Sequence, residues 1–282
     1  MKKGKINKIS ISFNSKSYDA LIAYLYLQGI KTFEENTSTV DIYIDPAARE
    51  EFLISFMKNF KGGDAELSVD EIEIKNWNEE WEKSIKPIFI EDKIIIYPSW
   101  KKSEISKYRN RIKVLIDPKM AFGTGHNETT RLVLKLMSRY LEAKDRYLFD
   151  YGCGTGILAI AGLKMGIGKA VANEIDDDSI ENAAENFSAN RVTGRVKLYK
   201  CPIEGIKEKN FDVVCANIIS SVIIDTLRQI KSRMKKNSKL FLSGILTEEK
   251  GKISNALRKN GFEILDIQTE AEWLGVYAKN RY

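Results

Sequence analysis

The sequence predicts an α/β protein, a doubly wound and mostly parallel sheet of seven strands preceded by a small α+β unit. Three observations predict it. From Lys113 onward, short apolar strands alternate with helical stretches, the order that gives a parallel sheet covered on both faces. A glycine loop, Asp150-Tyr151-Gly152-Cys153-Gly154-Thr155-Gly156, stands between one such strand and the helix after it. The first 75 residues run strand, helix, strand, helix, strand and carry no such loop.

The 282 residues suit two domains better than one. Hydrophobic residues at 43% and charged residues at 30% are the balance of a globular chain with a real core. No stretch approaches the roughly 20 apolar residues that cross a bilayer. The basic start Met1-Lys2-Lys3-Gly4-Lys5 lacks an apolar core behind it, so no export signal and a cytoplasmic location are expected. Cys153, Cys201 and Cys215 are scattered and odd in number, which speaks for a reducing compartment and against a disulfide framework. With a single histidine, His126, and dispersed cysteines, no zinc site of the usual kind is expected. A serine hydrolase would have to use His126, and no Gly-x-Ser-x-Gly elbow partners it. The net charge of +6 is mild; short runs such as Lys231 to Lys239 read as solvated surface rather than as a nucleic-acid contact.

Ile6 to Phe13 alternates as a half-buried strand does. Ser17 to Gln28 reads as a capped amphipathic helix with Gly29 as its stop, and Val40 to Ile44 alternates again. Pro46 stands where a second helix begins, running to about Phe60, and Leu67 to Ile74 is a further strand. That order suggests a ferredoxin-like sandwich over residues 1–75. Residues 76–100 read as a linker: Trp77 and Trp81 share one helix face, and Ile88 to Ile96 forms a two-stranded ribbon closed by Tyr97-Pro98-Ser99-Trp100. Residues 101–282 form the large domain. In it a strand at Lys113 to Ile116 leads into Ala121-Phe122-Gly123-Thr124-Gly125-His126, and a helix follows from Glu128 to Leu141. Strands then fall near Tyr147–Tyr151, Ala170–Ile175, Val196–Tyr199, Phe211–Ala216, Lys239–Gly244, Phe262–Gln268 and Trp273–Ala278, with helices between most of them.

The motifs suggest a nucleoside-bearing ligand. Gly152, Gly154 and Gly156 let the backbone approach a ligand and take positive φ, at the crevice where doubly wound sheets bind. Glu174, 22 residues beyond Gly152, ends the next strand, where a carboxylate accepts hydrogen bonds from ribose hydroxyls. The neighbouring Asp176, Asp177 and Asp178 read instead as charges opening a helix. A dinucleotide loop would read Gly-x-Gly-x-x-Gly; here the third glycine comes one residue early and Asp150 precedes the loop. That pattern suits S-adenosylmethionine, which carries an ammonium and a carboxylate where a dinucleotide has a pyrophosphate. Asn217 ends the fourth strand beside the crevice. Its carboxamide oxygen can accept a hydrogen bond from a substrate amine, and it can equally cap the next helix. Phe122 in its glycine loop is placed to meet a sulfonium through its ring, Thr129-Thr130 open a helix, and His126 reads as structural.

These segments resemble the PrmA family, the methyltransferases of large-subunit ribosomal protein L11. The resemblance rests on Asp117 to Thr130, Asp150 to Ala161, Ala216-Asn217-Ile218, Ser243 to Leu246, Pro98-Ser99-Trp100 and Glu272-Trp273, and covers residues 77–282. It implies a methyltransferase sheet and S-adenosylmethionine as cofactor. It places Thr130, Gly152, Glu174 and Asn217 on the family's cofactor-binding positions. With the residue reading, the candidate set is Phe122, Thr130, Gly152, Gly154, Glu174 and Asn217 for the cofactor, and Asn217 for catalysis. Glu174 departs from the family's usual Asp, keeping the chemistry but lengthening the reach, and Asn127 departs in the loop. The resemblance further implies N-methylation of lysine or N-terminal amines of a ribosomal protein selected by residues 1–75; a monomer without membrane or direct nucleic-acid contact is expected. The alternatives are a lysine methyltransferase of another protein, an RNA methyltransferase, and a cofactor-binding module without activity. Against RNA methylation, base-amino enzymes often carry Asn-Pro-Pro-Tyr where Asn217-Ile218-Ile219-Ser220 stands.

Overall fold

The computed structural model describes residues 5–13, 17–30, 33–36, 38–60, 65–73, 85–117 and 127–281. The chain divides into two compact units, Met1–Ser84 and Ile85–Tyr282. The expected tryptophan pair Trp77 and Trp81, and the loop bearing Phe122 and His126, lie outside the described residues.

In the first unit, β1 (Lys5–Phe13), α1 (Tyr18–Leu27), β2 (Glu34–Glu35), β3 (Thr39–Ile44), α2 (Arg49–Asn59) and β4 (Ala65–Glu73) follow in order. The sheet runs β2-β3-β1-β4 and is antiparallel throughout, the split βαβ arrangement of a ferredoxin-like sandwich. Alternation in β1 sends Ile9 and Ile11 to one face, where they meet Leu21 and Leu25 of α1, Val40 and Ile42 of β3, and Phe52 and Phe56 of α2. Asp45 caps the turn at Pro46 through a 2.8 Å bond from the Ala47 amide, and α2 follows it.

The second unit opens with a three-stranded sheet of β5 (Ile88–Ile90), β6 (Ile94–Tyr97) and β7 (Ile112–Leu115); the expected ribbon is its antiparallel half, and β7 pairs parallel to β6. Then follow α3 (Glu128–Tyr140), β8 (Tyr147–Tyr151), α4 (Ile157–Lys164), β9 (Lys169–Glu174), α5 (Asp177–Ala189), β10 (Val196–Lys200), β11 (Phe211–Asn217), α6 (Ser220–Arg233), β12 (Met234–Leu246), α7 (Lys250–Lys259), β13 (Phe262–Glu270) and β14 (Trp273–Asn280). They build the seven-stranded sheet β10-β9-β8-β11-β12-β14-β13. The first five strands in that order run parallel; β14 runs antiparallel to both its neighbours. The order reverses between β8 and β11, and a crevice opens at that switch point beyond the carboxyl ends of the strands.

Period-two alternation splits the core between the two faces. Leu148, Val213, Cys215, Phe241 and Tyr277 join α3, α4, α5 and the three-stranded sheet. Phe149, Tyr151, Val214, Ala216, Leu240 and Leu242 join α6 and α7. Helix α4 is buried on every side, as its unbroken run Ile157-Leu158-Ala159-Ile160-Ala161 requires.

Candidate active site

Four strand ends converge on a cavity of about 480 Å³, walled by Gly152 and Gly154 after β8, Glu174 at the end of β9, Asn217-Ile218-Ile219 at the end of β11, Gly244 in β12, Trp273 at the start of β14, and the first turn of α3. Among the candidate residues, Gly152, Gly154, Glu174 and Asn217 therefore line one cavity. Thr130 does not line it; it is fully buried one shell behind. Phe122 lies outside the described residues.

The glycine loop is a cradle held by backbone geometry. Gly152 has φ +68°, and a Cβ there would stand 2.5 Å from Ile218 Cγ2. Gly244 has φ +77°, and its Cβ would stand 2.3 Å from the Ile218 carbonyl oxygen. The chain at Ile218 thus passes between two positions that only glycine fills without displacement. Loop and strand tip are tied together by Glu174. Its Oε2 accepts the Gly154 amide at 3.0 Å and its Oε1 accepts the Ile175 amide at 2.7 Å. Oε1 also accepts the Asp176 amide at 3.3 Å; with about four acceptor sites on a carboxylate, Oε2 keeps capacity for a hydroxyl donor. The helix-opening role goes to Asp176, whose Oδ2 accepts the Ser179 amide at 2.8 Å.

Under the loop lies Asp150, with no exposed surface. Its Oδ2 accepts the Ala159 amide of α4 at 2.9 Å, and its Oδ1 has no hydrogen-bond partner. Burial pushes this carboxyl up to about 7, the Ala159 amide pulling the other way. Burial likewise pushes the Cys153 and Cys215 thiols well above their ordinary range, so neither supplies a thiolate nucleophile.

Asn217 is not a helix cap. The N-cap of α6 is Ile219, in extended geometry, and the Asn217 amide turns back to donate from Nδ2 to Thr130 Oγ1 at 3.2 Å. Its Oδ1 is left without a partner at the cavity wall. Thr129 and Thr130 do not cap α3 either: Asn127 holds the N-cap position, and both threonines lie buried in the first turn. Thr129 Oγ1 is another buried polar atom without a partner among the described residues, and Thr129 lines the cavity. The sequence motifs pointed past Thr129 to Thr130. They also gave no role to Gly244 and Trp273, although the neighbouring order of β11 and β12 is the signal that brings Gly244 beside Asn217.

A doubly wound sheet with its antiparallel strand inserted next to last, a glycine cradle after β8, a carboxylate at the tip of β9 and an asparagine at the end of β11, all lining one cavity, defines an S-adenosylmethionine-dependent methyltransferase. The donor set fits that cofactor: hydroxyl acceptors at Glu174, glycine backbone at Gly152 and Gly154, and no cluster of metal-ligating side chains among the described residues. Comparison with known proteins sharpens the class. The family model described as ribosomal protein L11 methyltransferase (PrmA) matches residues 8–281, and the chain belongs to that family. The ribosomal protein L11 methyltransferase of Dictyoglomus turgidum is 33% identical over 283 residues, covering 98% of this chain and 91% of its own. That of Alkaliphilus oremlandii is 36% identical over 217 residues, covering 77% and 68%. A crystal structure of the ribosomal protein L11 methylase from Lactobacillus delbrueckii subsp. bulgaricus superposes with a TM-score of 0.65 at 28% identity, covering 70% of this chain and all of that one. The match from residue 8 brings the small N-terminal unit into the family, which the motifs alone reached only from residue 77.

Proposed function

We propose that this protein methylates amine nitrogens, lysine ε-amines or the N-terminal α-amine, of ribosomal protein L11, the substrate its relatives are named for. The observation that carries the chemistry is Asn217: a cavity-lining amide fixed by Thr130 whose buried oxygen has no hydrogen-bond partner among the described residues. S-adenosylmethionine supplies, when bound, a methyl group on a cationic sulfur. Everything else falls to the chain. Glu174 holds the ribose hydroxyls, and the Gly152–Gly154 backbone admits the ligand closely.

The acceptor nitrogen must arrive with its lone pair free. A lysine with pKa near 10.4 is neutral in only about one molecule in 2,500 at pH 7. The walls at Ile218, Ile219 and Trp273 remove water from such an amine, which favours its neutral form. Asn217 Oδ1 then accepts one N–H and so aims the lone pair; Thr130 acts through it as a positioning residue. No carboxylate base is required, because the proton leaves to water before the transfer, and the rate gain comes from alignment and desolvation. Residues 1–75 select the protein substrate, and 101–282 perform the reaction. A ribosomal protein substrate and dispersed free cysteines agree with a cytoplasmic location.

The test is transfer of radiolabel from S-adenosylmethionine into ribosomal protein lacking the modification, with mass spectrometry of the labelled species. Asn217→Ala is expected to lower kcat by roughly 10²-fold, the scale of losing one fixed polar contact to the reacting group, while the cofactor still binds. Normal binding together with wild-type methylation by Asn217→Ala would sink the role given to that residue.

A further inference from the structure

The first turn of α3 lines the crevice through Glu128 and Thr129, and the start of β14 lines it through Trp273. One cluster of charges ties the two elements together. Arg131 donates from Nε to Glu270 Oε1 at 2.7 Å and from Nη2 to Glu128 Oε1 at 2.8 Å. Lys135, about one turn further along α3, donates to Glu270 Oε2 at 2.6 Å. Glu270 ends β13 and pairs with Trp273 in the hairpin register. The turn between them is Ala271 and Glu272, and Ala271 has φ +51°, a setting that a non-glycine residue keeps where its surroundings hold it. Arg131, Lys135 and Glu270 are not among the residues that line the crevice. Their side chains are 22%, 29% and 25% exposed, so water and salt screen the cluster only in part.

Apolar packing already seats the helix. At Gly275 of β14 a Cβ would stand 2.9 Å from Leu132 Cβ, so α3 lies close on the strand two residues beyond Trp273. Apolar contact is non-directional. A carboxylate gripped on both oxygens by cations at i and i+4 of one helix adds direction and resists rotation of that helix about its axis. Burial raises the Glu270 carboxyl, but the Lys135 and Arg131 bonds outweigh it and hold the group below the usual carboxylate range. The grip therefore stays charged at neutral pH. Rotation of α3 matters because of the residue before Arg131. Thr130 lies about 100° around the helix from it, and Thr130 Oγ1 accepts the Asn217 amide at 3.2 Å.

We propose that Arg131, held by Glu270, is a positioning residue for the methyl transfer: it fixes how the first turn of α3 is set about its axis and, through Thr130, where Asn217 Oδ1 points. The inference rests on the role proposed for Asn217. The path runs Glu270, Arg131, Thr130, Asn217, from a charge cluster outside the crevice to an amide that lines it. Only its last member meets the amine. An ion pair this near the surface contributes little to stability, whereas misplacing a group at the reacting centre by about 1 Å costs up to about 10²-fold in rate. Loss of Arg131 is therefore read in the chemistry more than in the fold.

Two readouts test it, one of them without any methyl transfer. With the asparagine side chains of the full chain isotope-labelled for NMR, Asn217→Ala assigns the Asn217 amide signal. Arg131→Gln is expected to shift that signal and to speed its proton exchange, as a loosened bond to Thr130 requires. In steady-state assays on the protein substrate, Arg131→Gln and Glu270→Gln are each expected to lower kcat roughly tenfold, with the KM for S-adenosylmethionine within about twofold. Arg131→Lys keeps the charge without the fork and is expected to recover part of the loss. Arg139→Gln cuts another ion pair of the same helix, with Glu91 at its far end, and is expected to leave kcat unchanged. Circular dichroism checks that each variant folds. Added to Asn217→Ala, Arg131→Gln is expected to cost less than about twofold more, since the two act through one contact. A further loss of roughly tenfold there, or an Asn217 signal that Arg131→Gln leaves unmoved, overturns the positioning role and leaves that of Asn217 standing. Wild-type kcat in Asn217→Ala alone would instead remove the Asn217 role, and this inference with it.

Discussion

Asn217 Oδ1 and Asp150 Oδ1 both lack a hydrogen-bond partner among the described residues, and they differ in what they can do. Asn217 Oδ1 belongs to a residue that lines the cavity, and in the proposed reaction a substrate N–H satisfies it. Asp150 Oδ1 lies under the glycine loop, where a proton is the cheapest partner. Its carboxyl titrates near 7 in the folded protein against a usual 3.8. The folded state therefore holds a proton, between those values, that the unfolded state has lost. Stability falls as pH rises through this window and levels off above about 7; below 3.8 both states are protonated and the effect vanishes. The effect is a few kcal/mol, with about 4 as its ceiling at 1.36 kcal/mol per unit. Asp150→Asn removes the titration. Urea unfolding of both proteins at a series of pH values from 4 to 8 is expected to show the wild type losing ground to the variant as pH rises. Parallel curves would mean that Asp150 is ionised in the fold.

Single elements are held in register by buried polar ties as well as by packing. Lys239, near the start of the straight part of β12, is buried and donates from Nζ to Asp145 Oδ2 at 2.6 Å and to Glu142 Oε2 at 2.8 Å. Both carboxylates belong to the turn between α3 and β8, so one ammonium joins that turn to β12. Lys239→Met nearly keeps the length of the side chain and leaves the buried Asp145 without its cation, with only the Glu142 amide at 2.7 Å on that oxygen. Breaking such a pair costs about 3–5 kcal/mol, and at 2–4 °C per kcal/mol the melting temperature is expected to fall by roughly 6–20 °C. A calorimetric shift under a few degrees would contradict it. Ties of this kind mark the boundary of what the sequence discloses. The seven strands, the cradle at Gly152 and the carboxylate at Glu174 are legible because period-two alternation and turn chemistry are local. β2 is invisible, since two residues cannot show a period. The bulge at Lys236, the insertion of β14 between β12 and β13, and the turning of Asn217 toward Thr130 rather than toward α6 depend on partners tens of residues away. Thr129 was passed over because adjacent threonines in one turn look alike until the turn is placed.

At the scale of the whole chain, the two units keep separate cores. Every residue of the first core lies between Ile9 and Val69, and every residue of the other clusters lies beyond Ile88. Among the described residues, those that line the crevice belong to the second unit. If residues 1–75 select the substrate, cofactor affinity and protein recognition are separable. A truncated chain beginning at Ile85 is expected to bind S-adenosylmethionine within about threefold of the full chain, because no cofactor-binding group proposed here precedes Phe122. Its kcat/KM for the ribosomal protein is expected to fall at least a hundredfold, about 2.7 kcal/mol of recognition at 1.36 kcal/mol per tenfold. The loss should appear in KM rather than kcat, since binding remote from the reacting atoms and equal in ground and transition states changes KM alone. Calorimetric titration with the cofactor and steady-state rates on the protein substrate separate the terms. Equal kcat/KM for both chains would move substrate selection into the methyltransferase unit, while loss of cofactor binding by a folded truncation would show that the first unit helps to build the crevice.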